Sequence, residues 1–149
     1  MMENATQVRA IDSLLSKYGE SHVNHANELI HIVCVPVIVF SLLGLVWSVH
    51  PIAAGLVTVM SLAYYVQLSK GFAIGMLIMS LLMLTLLAAM PPKVVLPVSV
   101  ALFVLAWIGQ FIGHEIEGKK PSFLDDLRFL LIGPLFVLSF LYRRLNLAW

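Results

Sequence analysis

The sequence predicts an all-α protein, an integral membrane helical bundle of four to five transmembrane helices with an N-terminal amphipathic helix. Of its 149 residues, 60% are hydrophobic and only 11% are charged, and the mean hydropathy is +0.96. Soluble domains carry about 25% charged residues. No linker or fixed-period repeat divides the chain, so we expect residues 1–149 to form a single membrane-embedded domain.

Charge and cysteine content exclude several classes of function. The formal net charge is +1, which gives no field that would attract nucleic acid. Cys34 is the one cysteine and lies in an apolar segment, which excludes disulfides within the chain and CxxC metal sites. Residues 1–20 are polar and mixed in charge, unlike a signal peptide, so we expect the apolar segments to remain in the mature protein.

The first element is a predicted amphipathic helix over residues 4–18, on the membrane surface or against the bundle. Asn4 and Gln7 have the spacing of a capping box. Apolar residues then recur at helical spacing and give the helix one buried face. These residues are Val8, Ile11, Leu15 and Tyr18.

Long apolar runs follow, each near the roughly 20 residues that a helix needs to cross a bilayer. The connections between them are short turns such as "VHP", "SKG" and "MPPK", so consecutive helices should pack as antiparallel hairpins. A fifth run is shorter, contains Gly133 and Pro134, and either spans the membrane or lies at its surface. The predicted spans are residues 29–47, 51–68, 72–90 and 94–112, with 127–142 as the fifth run.

The positive charges predict that the N-terminal side faces the cytoplasm. If every run spans, six of the nine basic residues lie on the side of the N-terminus. If the last run does not cross, Arg143 and Arg144 join them and the bias becomes stronger. The expected location is a bacterial inner membrane, or the endoplasmic reticulum in a eukaryote.

The same topology brings together histidines that are distant in sequence. An even number of crossings separates the segment "SHVNHANELIHIVCVP" at residues 21–36 from His114, so His22, His25, His31 and His114 share one face and His50 lies on the other. At 100° per residue, His22 and His31 would point in opposite directions on one helix, so both can face one metal only if the chain breaks between them.

Polar residues at helical spacing accompany these histidines. Ser21 and Asn24 are candidate N-caps for the break between the first two. Asn27 lies one turn before His31, Gln110 lies one turn before His114, and Glu117 follows His114 at i+3. Such residues often cap helices or reach the membrane interface, but their clustering at membrane depth favours a functional site. Several imidazoles with at most one carboxylate suit Fe(II), Zn or Cu.

Two motifs resemble a known enzyme family. One is the spacing His22-x4-Asn27-x3-His31-x4-Pro36, preceded by Tyr18, and the other is "WIGQFIGHEIEGKKPSF" at residues 107–123. With "FLLIGPLFVL" at residues 129–138, they resemble the family of the fungal 2-hydroxy fatty acid dioxygenase of phytosphingosine degradation, which has bacterial and plant relatives. The resemblance covers residues 10–142.

This resemblance implies an Fe(II)-dependent membrane enzyme that uses O2 to shorten a 2-hydroxy fatty acid by one carbon. It implies metal ligands at His22, His31 and His114, and it does not extend to His25. We further expect Asn27, Gln110 and Glu117 to orient the rings or hold water, the alkyl tail to lie between helices, and basic residues to attract the substrate carboxylate. These basic residues are Lys119, Lys120 and Arg128.

Two alternatives remain open from the sequence. Imidazoles in a membrane bundle can also bind haem axially, which would give a Soret absorption band. A non-catalytic scaffold would bind no metal and would tolerate His22→Ala or His114→Ala.

Overall fold

The computed structural model describes residues 9–121 and 128–149, and these form helices joined by short turns. This confirms the all-α prediction. Four of the helices, α2 to α5, are long and apolar enough to cross a membrane. The helices are α1 Ala10–Gly19, α2 His25–Val49, α3 Pro51–Leu68, α4 Lys70–Ala89, α5 Pro92–Glu117 and α6 Arg128–Arg144.

Helix α1 begins later than the sequence predicts. Arg9 has an extended backbone, so the described helix begins at Ala10, while the predicted capping box at Asn4 and Gln7, together with Val8, lies outside the described residues. Arg9 pairs with Asp12 at 3.0 Å and donates to the carbonyl O of Trp149, which connects the start of α1 to the end of the chain.

Turn residues end each helix and begin the next. His50 accepts a hydrogen bond from the backbone N of Ile52 and caps α3, and Ser69 caps α4 by accepting from Phe72 N. Helix α5 ends at Gly118, whose φ of +77° is the left-handed conformation that favours glycine. These caps reverse the chain direction between consecutive helices from α2 to α5, but α5 packs mainly on α2 rather than on α4, its predicted hairpin partner. We call the end formed by His25, Ser69 and Glu117 the proximal end, and the opposite end distal.

Helices α2 and α5 pack closely along their length because small residues occupy the contact. A Cβ on Gly44 would overlap the Ser99 hydroxyl at the distal end. In the middle, a Cβ on Gly109 would lie 2.6 Å from Cys34 Sγ. Near the proximal end, a Cβ on Gly113 would overlap Asn27. This antiparallel contact places the first turns of α2 beside the last turns of α5.

Helix α6 lies along the proximal end instead of crossing the bundle. Near its start, the Leu131 carbonyl O accepts a hydrogen bond from Tyr65 Oη (2.8 Å). Near its end, Tyr142 Oη donates to the Gly71 carbonyl O (2.6 Å). Tyr65 and Gly71 flank the same connection between α3 and α4, so both ends of α6 remain at the proximal end. Of the two alternatives for the last run, the contacts therefore favour the surface position.

The apolar core also lies mainly at the proximal end. Ile11, Leu15 and Tyr18 of α1 are buried against α6, as the amphipathic pattern predicts. Large apolar side chains on the outer faces of the long helices remain exposed, for example Met60 at 71% and Leu105 at 65%. An outer surface of this kind is suited to lipid.

Candidate metal centre

Three buried imidazoles meet at the proximal end. His22 lies in the loop between α1 and α2, His31 lies on the second turn of α2, and His114 lies on the last turn of α5. Their side chains are 1%, 1% and 4% exposed, and one nitrogen from each ring lies within 4.8 Å of the others. The structure thus brings together residues separated by 92 positions, as 114 minus 22 gives.

The chain breaks between His22 and His31, as the helical geometry requires. Asn24 caps α2 by accepting from Ala26 N (2.9 Å). Ser21, the other predicted cap, instead donates its hydroxyl to the Tyr18 carbonyl O (3.3 Å). The break lets His22 approach the start of α2 from the end of α1.

Hydrogen bonds determine which nitrogens of two rings are free. His22 Nδ1 donates to the Tyr18 carbonyl O (2.6 Å), and His31 Nδ1 donates to the Asn27 carbonyl O (3.0 Å). A carbonyl can only accept, so both protons are on Nδ1 and both neutral rings have a lone pair on Nε2. These two Nε2 atoms lie 2.8 Å apart.

Two lone pairs at this distance repel each other unless a positive charge lies between them. A proton on one ring or a metal ion coordinated by both would supply this charge. Burial lowers the pKa of His22, although its hydrogen bond to the Tyr18 carbonyl and the nearby Glu117 charge oppose that effect. A lower pKa favours the neutral imidazole, which is the form that binds metal.

An aromatic side chain fixes the His22 ring. Tyr18 stacks on it with centroids 4.3 Å apart and planes 6° from parallel, and Phe136 contacts it from α6 at 5.4 Å. Burial raises the pKa of Tyr18, so its phenol keeps its proton. The sequence analysis placed Tyr18 on the apolar face of α1 and in a motif, and the structure adds its stacking on the His22 ring.

Asn27 and Glu117 connect the two chain segments that carry the histidines. Asn27 Nδ2 donates to the Ser21 carbonyl O (3.1 Å) and to Glu117 Oε1 (3.3 Å). The same Glu117 oxygen accepts from the backbone N of Asn24 (2.7 Å), where a negative charge is favourable at the N-terminus of α2. Glu117 therefore holds the end of α5 against the start of α2.

The site also contains buried polar atoms that have no partner among the described residues. They are His114 Nδ1, Gln110 Oε1 and Asn27 Oδ1. Leaving such atoms unpaired costs about 1–3 kcal/mol each. His114 and Gln110 line a narrow cavity of about 40 Å³ together with His31, Tyr18 and Trp107. This volume suits a very small molecule, such as one or two waters.

The donor set fits a metal ion. The Nε2 lone pairs of His22 and His31 point toward each other, and the buried His114 ring lies beside them. Backbone carbonyls orient the His22 and His31 rings, as is typical of histidines that bind metal. The residues able to hold the ion are His22, His31 and His114. His25 and His50 are elsewhere: the side chain of His25 is 83% exposed, and His50 caps α3 at the distal end.

The predicted substrate-binding cations lie around the site. Lys119 Nζ donates to the Glu20 carbonyl O (2.9 Å), which connects α5 to the end of α1. Lys120 is exposed beyond α5, and Arg128 is exposed at the start of α6. Their role in attracting a carboxylate stays a prediction.

The structure adds a basic residue that the sequence analysis did not name as a substrate-binding candidate. Arg143 lines a cleft of about 530 Å³ that reaches His22. Its guanidinium stacks on Phe140 and Trp149, 6.0 Å and 5.6 Å from the ring centroids. The sequence left the side of Arg143 open, because this residue joins the N-terminal side only if the last run does not cross.

Comparisons with known proteins agree with the motifs. A family model described as "2-hydroxy-palmitic acid dioxygenase Mpo1-like" matches residues 8–145. The chain is also 33% identical over 142 residues to a Saccharomyces cerevisiae protein named "2-hydroxy-palmitic acid dioxygenase MPO1", with 88% of this chain and 79% of the yeast protein covered. No solved structure matches the chain significantly.

Proposed function

The chain belongs to the Mpo1-like family of 2-hydroxy-palmitic acid dioxygenases, and from this premise we propose that it oxidises 2-hydroxy fatty acids with O2. The product is the fatty acid one carbon shorter. The reaction balances as R–CH(OH)–COOH plus O2 giving R–COOH, CO2 and H2O. The bond between C1 and C2 breaks, and the substrate itself supplies the electrons that reduce O2, so no further reductant is required.

We also propose Fe(II) as the metal and His22, His31 and His114 as its ligands. The observation that supports this most directly is the 2.8 Å approach of two Nε2 lone pairs beside a third buried imidazole. When bound, Fe(II) held by three imidazoles supplies redox chemistry with O2 and open coordination positions for the hydroxyl and carboxylate oxygens of the substrate.

The surrounding residues prepare the site for such a substrate. The carbonyls of Tyr18 and Asn27 keep two imidazoles in the tautomer that presents Nε2. Gln110 contributes an acceptor oxygen at the narrow cavity beside His31 and His114, where it can receive a hydrogen bond from a bound hydroxyl or water. The closely packed helices keep bulk water away from the reacting atoms.

The haem alternative fits this geometry poorly. Axial imidazoles bind haem from opposite sides of a macrocycle, but His22 Nε2 and His31 Nε2 are only 2.8 Å apart. The cavity that His31 and His114 line together has a volume of about 40 Å³, far too small for a porphyrin. The geometry therefore favours a non-haem site.

Elemental and spectroscopic analysis of anaerobically purified protein tests the proposal. We expect about one iron per chain, no Soret band, and uptake of O2 equal to the 2-hydroxy acid consumed, with the shortened acid as product. A Soret band would support the haem alternative. Protein that binds no metal and consumes no O2 would support the scaffold.

Glu117 gives a second test through the connection between α5 and α2. We expect Glu117→Ala to lower metal affinity or turnover about 10–100-fold, the usual range for residues that support metal ligands, because Asn24 N and Asn27 Nδ2 lose their shared acceptor. Glu115→Ala is the matched control, since Glu115 is exposed on the same helix. Equal metal retention after dialysis against a chelator, and equal O2 uptake, would contradict this role.

We further propose that the proximal end faces the cytoplasm. Helix α6 stays at that end, so Arg143 and Arg144 join Lys119 and Lys120 there. An excess of Lys and Arg marks the cytoplasmic side of a membrane protein. The membrane would be the bacterial inner membrane, or the endoplasmic reticulum in a eukaryote.

A further inference from the structure

A second cavity lies directly beside the narrow one at the histidines. It has a volume of about 320 Å³ and is lined by residues of α2, α3, α4 and α6. Val39, Leu42 and Leu130 line both cavities, so the two spaces adjoin at these side chains. The two cavities follow one another from the histidines toward the distal end. We call the second one the acyl cavity.

The walls of the acyl cavity are mainly apolar, and at least two of their hydroxyl groups already have partners. Thr58 Oγ1 donates to the Ala54 carbonyl O (2.9 Å), and Tyr65 Oη donates to the Leu131 carbonyl O (2.8 Å). Most other lining residues are aliphatic, including Leu43, Leu62 and Met76. Such a surface favours a hydrocarbon chain over a polar ligand.

The combined length of the two cavities suits a long alkyl chain. His31 and Val46 lie fifteen residues apart on α2, which corresponds to about 22 Å along the helix. An extended alkyl chain with carbon–carbon bonds of about 1.5 Å advances about 1.3 Å per carbon. A chain of roughly seventeen carbons would therefore extend from the histidines to the far end of the cavity.

We propose that the acyl cavity holds the alkyl chain of the substrate and that Val46, Val57 and Ser80 at its distal end determine the longest chain accepted. The inference rests on the proposed function for the head group, a 2-hydroxy acid at the three histidines. The acyl cavity provides an apolar space for the alkyl chain next to the histidines, where the reacting carbons C1 and C2 would lie.

The outer wall gives the chain a route from the bilayer. Val57 and Leu130 line the cavity and are 42% and 40% exposed, on faces that would contact lipid. A fatty acid in the membrane can enter sideways between the helices. Its carboxylate then stays near the proximal end, where the charged residues lie.

Substitutions that narrow the distal end of the acyl cavity test the proposal through their effect on kcat/KM. Each methylene kept out of an apolar site lowers affinity about fourfold. We expect Val46→Phe and Val57→Phe to lower kcat/KM for 2-hydroxypalmitate at least about tenfold while leaving 2-hydroxyoctanoate nearly unchanged. Met60→Phe is the matched control, because Met60 is 71% exposed on α3 and outside the cavity.

Photo-crosslinking supplies a readout that does not depend on turnover. A 2-hydroxypalmitate analogue with a diazirine near its methyl end should label the distal lining of the cavity, at residues 57–61 of α3 and at Ser80 of α4. Labelling confined to the lipid-facing side of α5 would overturn the proposal, as would an unchanged chain-length preference in folded Val46→Phe and Val57→Phe. Labelling of α3 and α4 in a wild-type protein without turnover would retain the acyl cavity but overturn the proposed function.

Discussion

Replacing His31 with alanine is expected to remove the bound metal and to lower turnover of 2-hydroxypalmitate by more than about a hundredfold. The loss should exceed the 10–100-fold typical of residues that only support a ligand, because His31 presents its own Nε2 2.8 Å from that of His22. His31 is 1% exposed, and a water molecule that fills the space left by the ring is a weaker ligand than imidazole. Two imidazoles would remain, too few to hold the ion firmly.

Matched histidine variants separate metal binding from general damage. His25→Ala removes an exposed ring close in sequence to the site. His50→Ala removes the cap of α3, which costs about 1 kcal/mol of stability but no ligand. We expect both variants to retain iron and turnover. The three variants, His25→Ala, His50→Ala and His31→Ala, are compared by their iron content, their O2 uptake and their helix content from circular dichroism. Full iron and activity in folded His31→Ala would remove the ligand assignment.

Topology explains why sequence reasoning could bring the histidines together. Four long apolar runs joined by short turns alternate in direction, and this places the start of the first run and the end of the fourth on the same side of the membrane. The 100° helical step then required a break between His22 and His31, and the Asn24 cap supplies it. An even number of crossings between the two histidine segments was enough to place them on the same side of the membrane, without any knowledge of helix packing.

Other features depended on contacts that no periodic pattern encodes. The sequence ended the fourth run at residue 112, but α5 continues to Glu117 because its last turns pack on α2 and bond to Asn24 and Asn27. The sequence left open whether the last run spans, and hydrogen bonds from Tyr65 and Tyr142 hold α6 at the proximal end. The position of Arg143 near His22 follows from that placement.

A substitution in the contact between α2 and α5 is expected to lower both the stability of the protein and its affinity for metal. We expect Gly113→Ala to destabilise the protein by about 1–3 kcal/mol, the usual cost of overpacking, and to weaken metal binding at the same time. The added Cβ would overlap Asn27 Oδ1 and would lie 3.4 Å from Ile30 Cγ2. Gly55→Ala is the matched control, because no atom lies within 4 Å of a Cβ there. It should be neutral or stabilise α3 by about 0.5–1 kcal/mol. Thermal unfolding in detergent measures both.

A double-mutant cycle shows whether the damage passes through Asn27. Moving its side chain away from Gly113 breaks the bonds to the Ser21 carbonyl and Glu117, which hold the loop carrying His22. In an Asn27→Ala background the overlap no longer exists, so Gly113→Ala should cost little more stability or metal affinity. A coupling free energy of about 1 kcal/mol or more is expected. Strictly additive losses would mean that Gly113 acts through the backbone distance between the helices, since only then would the cost persist without the Asn27 side chain.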